Sequence, residues 1–367
     1  MIMKKRIINV VGARPNFIKI APLMREMKRS ELLEPFLLHT GQHYDYAMSE
    51  SFFNDLGIPE PDESLGVGSS TQAKQVAMIM DRFDEFTDGY DATAVLVVGD
   101  VNSTMACSLV AVKKGMKVIH VEAGIRSRDR SMPEEINRLV TDSVADILFP
   151  PSSDAVENLI REGHAPEKIH LVGNIMIDTL LSSKPAVESS KILERLDLKE
   201  KEFALVTLHR PSNVDQPDKL ENVLNILNDL QKKIKTVFPM HPRTRKMIGS
   251  FGMDGMLQTS GNLLVTEPLG YFDFGKLTSS SRFVLTDSGG IQEETTVYGI
   301  PCITMRENTE RPVTVTEGSN ELAGSDRKKI DMLADRIMNG EWKKGGIPKF
   351  WDGLTASRIV KTLEEIL

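Results

Sequence analysis

A chain of 367 residues is long enough for two domains of ordinary size. Its residues are 40% hydrophobic and 26% charged, which supplies a packed core and excludes wholesale disorder. A net charge of −7 argues against a broad nucleic-acid-binding face, yet it leaves room for a small anion held by a few local Arg and Lys.

The opening MIMKKRIINVV has basic residues and then a short apolar run. That run is too short for a secretory h-region and predicts a first strand over Arg6–Val11. No stretch approaches the ~18 apolar residues of a membrane span, so a cytoplasmic protein without a membrane partner is expected. The two cysteines, Cys107 and Cys302, have no metal-type spacing and read as buried thiols.

Strands are predicted next at Phe36–His39, Ala94–Val98, Lys117–Val121, Ile147–Phe149 and Ile169–Val172. Helical patterns fall between them at Phe17–Arg29, Tyr44–Leu56, Thr71–Phe86, Asn102–Lys114, Glu134–Val144 and Ser152–Glu162. Strands apolar on successive residues are those of a parallel sheet covered on both faces. The alternation then restarts, with strands at Phe203–Thr207, Thr236–Phe238, Leu263–Thr266, Arg282–Thr286 and Pro301–Thr304. Helices are predicted at Lys219–Lys235, Arg243–Phe251, Tyr271–Ser280, Gly289–Tyr298, Asp326–Asn339 and Ala356–Leu367. The fold class is therefore α/β with two Rossmann-like domains, 1–173 and 174–352, followed by a C-terminal helix in 353–367.

Open parallel sheets bind ligands at the carboxyl ends of their strands, so those ends carry the candidate residues. The first strand ends in Gly12-Ala13-Arg14-Pro15-Asn16, and the helix after it carries Lys19; a helix start with Arg14 and Lys19 suits an anion. Asp100 follows Ala94–Val98, where it either caps the next helix or does chemistry. Glu122 directly follows Lys117–Val121, a position with little structural excuse for a carboxylate. Pro133-Glu134-Glu135 reads as a helix start, and Glu134 and Arg138, four apart, share a face on which they can pair. In the second half, His209-Arg210 and His241 stand at strand ends, where imidazole can meet phosphate or move a proton. Thr286-Asp287-Ser288-Gly289-Gly290 opens a helix with free N–H groups for a diphosphate, and Glu293 or Glu294 lies one turn further on for ribose hydroxyls. No G-x-G-x-x-G, Walker A, H-E-x-x-H or G-x-S-x-G string occurs.

GARPNFIKIAPL, VVGDVNST, HVEAGIRS, MPEEINR, TLHRPSNVD, TDSGGIQEE and TERP occur in order along the chain. Together they resemble the non-hydrolysing UDP-N-acetylglucosamine 2-epimerases over essentially the whole sequence. The resemblance implies a GT-B-type fold with a cleft between its domains and a last helix returning to the first domain. It also implies a homodimer, no redox cofactor and no metal. The implied reaction inverts carbon 2 of a UDP-linked 2-acetamido sugar through a glucal intermediate. Asp100, Glu122 and Glu134 would be the acid–base groups, with His209 assisting. Arg14, Ser288, Gly289 and Gly290 would bind UDP, Glu294 the ribose and Phe274 the uracil, with Lys19, Arg138, Arg210, His241 and Arg311 around the phosphates or sugar. Two alternatives share the motifs: a hydrolysing epimerase, and an epimerase of a UDP-diacetamido uronic acid for which Arg128 and Arg130 would supply charge. A glycosyltransferase or a UDP-sugar sensor stands outside that class. The chain departs from many relatives in having Arg210-Pro211-Ser212 after His209, and in lacking an Arg near Ser69–Thr71; activation by a second UDP-sugar, which would involve Gln42-His43, is not expected.

Overall fold

Each apolar strand of this chain needs cover on both faces, and two separate sheets provide for it. The computed structural model describes residues 4–42, 57–257 and 261–367. The helix expected at Tyr44–Leu56 and the side chain of Arg14 lie outside the described residues. Two units result: Met1–Ser182 with Lys349–Leu367, and Ser183–Pro348.

In the first unit the described elements run β1 (Lys5–Val11), α1 (Arg14–Arg29), β2 (Leu33–His39), β3 (Glu63–Ser64), α2 (Gln72–Asp88), β4 (Ala94–Val98), α3 (Asn102–Lys113), β5 (Lys117–Val121), α4 (Pro133–Val144), β6 (Ile147–Phe149), α5 (Ser153–Arg161) and α6 (Ile175–Ser182). The sheet is parallel throughout, in the order β3-β2-β1-β4-β5-β6. Chain order therefore reverses between β1 and β4, the place where doubly wound sheets open a crevice.

The predicted strand at Ile169–Val172 does not form. Ile169 makes a single bridge to Leu148 and the chain then leaves the ladder. β6 ends at Phe149, and Pro150-Pro151 have no N–H with which to extend the pairing. The first unit also runs past Gly173, because α6 packs on α1.

The second unit contains α7 (Lys184–Ser189), α8 (Ile192–Arg195), β7 (Phe203–Thr207), α9 (Pro211–Val214), α10 (Pro217–Leu230), β8 (Lys235–Pro239), α11 (Pro242–Ser250), β9 (Leu263–Thr266), α12 (Tyr271–Ser280), β10 (Phe283–Thr286), α13 (Gly289–Tyr298), β11 (Cys302–Thr304), α14 (Val313–Thr316), β12 (Asn320–Leu322) and α15 (Arg327–Met338). Its parallel sheet, β12-β11-β10-β7-β8-β9, repeats the first topology and reverses between β7 and β10. β7 sends Ala204 and Val206 to one apolar cluster and Phe203 and Leu205 to another, so both faces are covered and Phe203–Val206 are apolar on successive residues. The helix predicted to reach Lys235 stops at Leu230, since Lys235 opens β8 beside β7 and β9.

The last helix, α16 (Thr355–Ile366), returns to the first unit and packs on α1 and α6. Buried Asp178 of α6 holds its start: Oδ1 accepts from the Thr355 N–H at 3.1 Å and Oδ2 from the Ala356 N–H at 2.7 Å. A carboxylate against free N–H groups and the positive end of a helix dipole is a favourable pin. Cys107 and Cys302 are buried free thiols. Among the described residues no helix is long and apolar enough to cross a membrane.

Candidate active site

The crevice of the first sheet lies between the ends of β1 and β4, and the turns there are built by side chains as well as backbone. Asn16 Oδ1 accepts from the N–H groups of Gly12 and Ala13, at 3.3 and 3.0 Å, while its Nδ2 donates to the Val98 carbonyl at 2.8 Å. One buried amide thus ties the turn after β1 to the end of β4. Gly99, at φ +72°, lies where a Cβ would stand 3.1 Å from Lys19 Nζ and 3.3 Å from Glu122 Oε2; only glycine leaves that space.

Glu122 adopts a left-handed backbone, φ +70°, which a non-glycine residue takes at a cost of about 1–3 kcal/mol. Its N–H donates to the Phe149 carbonyl at 3.0 Å. The side chain is 3% exposed. Oε2 pairs with the buried ammonium of Lys19, whereas Oε1 is buried with no hydrogen-bond partner among the described residues. A charged group left half-satisfied in a low-dielectric pocket is costly unless a ligand completes it.

Asp100 is gripped by Arg138, whose Nε and Nη2 reach Oδ2 at 3.0 and 2.5 Å. Arg138 also donates to Glu135 Oε2 at 2.8 Å. Arg138 thus bridges Asp100 and Glu135, the neighbour of the Glu134 with which pairing was expected. Pro133 sets the phase of α4 so that Glu135 and Arg138, three apart, turn inward, and Glu134 is exposed on the first turn. Glu135 also accepts from the Ser127 and Arg128 N–H groups, both at 2.9 Å. Burial pushes its carboxyl up, but these donors and Arg138 outweigh that and hold it below its ordinary range.

The second sheet offers a different surface at β7 and β10. Asp287, fully buried, accepts from the backbone N–H of His209 and Arg210, and from Asn213 Nδ2 at 3.0 Å. Its Oδ1 stands 3.1 Å from His209 Nδ1. Burial would raise this carboxyl; the His209 contact and the other donors outweigh it and keep the pKa low. The His241 ring lies 5.1 Å from that of His209, and its Nδ1 accepts the Arg243 N–H at 3.1 Å. Burial, with the neighbouring His209, lowers the His241 pKa.

Ser288 precedes α13 and its hydroxyl does not cap the helix. Gly290 opens on free space, whereas a Cβ at Gly289 would lie 3.1 Å from Arg311 Nη1. Arg311 is oriented by Glu293, Nε to Oε1 at 2.7 Å. Arg306 holds Glu310 through both oxygens, at 2.6 and 2.9 Å, and Arg210 lies 3.7 Å from the same carboxylate. A free helix start flanked by three guanidinium groups is built for an anion of more than one charge.

Further along α13, Glu294 is 7% exposed. Burial, with the nearby Glu293, pushes its pKa up to about 8. The hydroxyls of Tyr271 and Tyr298 are buried with no hydrogen-bond partner among the described residues, and burial and Glu294 raise the pKa of each. Phe274 packs against the apolar cluster beneath. Neither tyrosine figured among the expected site residues; the GYFDF string places Tyr271 beside Phe274, but nothing local marks its hydroxyl as unsatisfied.

The sequence profile of the family described as UDP-N-acetylglucosamine 2-epimerase matches residues 25–364. The chain belongs to that family. A UDP-N-acetylglucosamine 2-epimerase homolog of Methanococcus maripaludis is 41% identical over 327 residues, 89% of this chain and 90% of the relative. A UDP-2,3-diacetamido-2,3-dideoxy-D-glucuronate 2-epimerase of Pseudomonas aeruginosa is 38% identical over 366 residues, 98% of this chain and all of the relative. The crystal structure of Methanocaldococcus jannaschii UDP-GlcNAc 2-epimerase in complex with UDP-GlcNAc and UDP is similar at 35% identity, with a TM-score of 0.88 over 98% of this chain and 99% of that one. Family membership makes the chain an epimerase, hence an isomerase, and its two Rossmann-like sheets are of the GT-B type expected from the motifs.

Proposed function

We propose that this chain inverts carbon 2 of UDP-N-acetylglucosamine, giving UDP-N-acetylmannosamine, without net hydrolysis. The observation that carries the reading is Glu122: one oxygen fixed by Lys19, the other buried and unpartnered, beside Asp100 at the crevice of the first sheet. Carbon 2 has no adjacent carbonyl to acidify its hydrogen. Loss of UDP from carbon 1 supplies the driving force instead. One carboxylate takes the carbon 2 proton, its C–H electron pair becomes the C1=C2 bond, and the C1–O bond breaks with its pair going to UDP. A second acid then protonates carbon 2 on the other face as a phosphate oxygen adds back to carbon 1. Asp100, Glu122 and Glu134 are the proton-transfer groups of this scheme.

The departing diphosphate gains charge as the bond breaks. Ser288, the N–H groups at Gly289 and Gly290, Arg210, Arg311 and His209 offer the stabilisation it needs. Glu294, with Tyr271 and Tyr298, would receive the ribose, and Phe274 the uracil. Proton NMR of UDP-N-acetylglucosamine with the protein in deuterated water tests the scheme. The manno isomer should appear with deuterium at carbon 2 and without accumulating UDP. Stoichiometric release of UDP and free sugar would sink the non-hydrolysing reading, and absence of carbon 2 exchange would sink the epimerisation of this substrate.

A second substrate has one specific support. Arg128 and Arg130 are exposed with no acidic partner among the described residues; Arg128 donates to Asn158 Oδ1 at 2.8 Å. They would suit the extra carboxylate of a UDP-diacetamido uronic acid, the substrate class named for the Pseudomonas relative. Competing the two sugars in one reaction and comparing kcat/KM decides between them.

A further inference from the structure

Beneath the first-sheet crevice lies a buried ion pair that the reaction scheme does not use. His120 of β5 and Asp142 of α4 are both 0% exposed, and His120 Nδ1 stands 2.6 Å from Asp142 Oδ1. The other ring nitrogen, Nε2, is 2.9 Å from the Gly99 carbonyl. A carbonyl oxygen only accepts, so Nε2 carries a proton, and a second proton lies between Nδ1 and the carboxylate. The remaining oxygen of Asp142 accepts the Gly124 N–H at 3.0 Å and meets Arg126 Nη2 at 2.7 Å.

Both backbone contacts fall on the loops that carry the proposed acid–base groups. Gly99, φ +72°, immediately precedes Asp100; Gly124, φ +78°, closes the turn in which Glu122 is held at φ +70°. A buried ion pair contributes little net stability compared with apolar side chains of similar size. What this pair adds is a fixed distance: one rigid unit joins the turn of Asp100 to the turn of Glu122.

We infer that His120 and Asp142 are positioning residues that set the placement of Asp100 relative to Glu122. The inference rests on the reading of those two carboxylates as proton-transfer groups. Two acids working on opposite faces of one carbon tolerate little error, and a misplacement of about 1 Å costs on the order of 100-fold in rate. Removing the pair should therefore lower kcat and leave substrate binding alone, since both side chains are fully buried.

The test compares wild type, His120→Leu, His120→Gln and Asp142→Asn in steady-state kinetics with UDP-N-acetylglucosamine, and in hydrogen–deuterium exchange read by mass spectrometry. His120→Leu should lose roughly 10- to 100-fold in kcat with KM within about twofold. His120→Gln, whose amide still donates toward Gly99, should recover most of that loss. Exchange should quicken in segments 99–102 and 122–127 and stay unchanged in the second unit. UDP should also escape more often per turnover, because reprotonation of the glucal slows. Unchanged kcat in His120→Leu would overturn the inference, as would a fall that merely tracks the folded fraction or is equal in the Gln variant. Should wild type itself fail to exchange carbon 2 hydrogen, the epimerase reading falls; the exchange pattern of the two loops then decides on the pair by itself. Should Asp142→Asn not fold, the two His120 variants carry the test.

Discussion

Replacing Glu294 with Gln keeps the shape of the side chain and removes the charge that burial disfavours. Folding lifts this carboxyl from 4.5 to about 8. A group raised in the fold releases its proton on unfolding, so its contribution to stability is fully present below pH 4.5 and is lost as pH rises toward 8. At about pH 7.5 the loss amounts to roughly 4 kcal/mol, at about 1.4 kcal/mol for each tenfold change in proton concentration. At 7% exposure, solvent screens little of this. The assay is urea denaturation of wild type and Glu294→Gln at about pH 5 and about pH 8, each with calorimetry of UDP binding. The variant should match wild type at the lower pH; at the higher one, where the carboxyl ionises, it should exceed wild type by several kcal/mol and bind UDP about tenfold more weakly through a lost charge-assisted hydrogen bond. A stability difference that is the same at both pH values would refute the reasoning, because the cost would then not be one of ionisation.

Asp100→Asn should abolish epimerisation, read as deuterium at carbon 2, while UDP affinity changes by less than about threefold because the anion cradle belongs to the other unit. Lys19→Met strips Glu122 Oε2 of its cationic partner; kcat should fall by at least about 100-fold with UDP affinity retained, and a variant of normal rate would remove Lys19 from the mechanism. Arg311→Lys keeps the charge but loses the planar fork that Glu293 orients, so UDP affinity measured by calorimetry should fall by roughly 10-fold. Asp178→Ala removes both hydrogen bonds at the start of α16 and should lower unfolding stability by about 3 kcal/mol, with α16 exchanging its amide hydrogens first.

The sheets were legible because burial on both faces leaves no choice of residue. Ala94–Val98, Lys117–Val121, Phe203–Thr207 and Leu263–Thr266 form with the bounds predicted from their largely apolar runs. α6 was not legible: Ile175–Ser182 is apolar nearly all round, and a buried helix without a polar stripe shows no period. Candidate residues at strand ends announced themselves by position, which is why Glu122 and Asp100 stood out. Glu135 did not, since the phase of a helix one turn from its start depends on how Pro133 enters it. His120 hid inside an apolar strand, and its partner Asp142 lies 22 residues further along, a pairing that only the β5–α4 packing creates.

The return of α16 to α1 and α6 makes the first unit discontinuous, with Ser183–Pro348 spliced into its sequence. On the ribosome that unit is made almost whole, then waits. Its final helix is translated only after the entire second unit has emerged, so Asp178 remains buried without its N–H partners, or loosely held, for that interval. Domains folding in order of synthesis would put the second unit to completion first, and the docking of α16 would complete the first unit only afterwards.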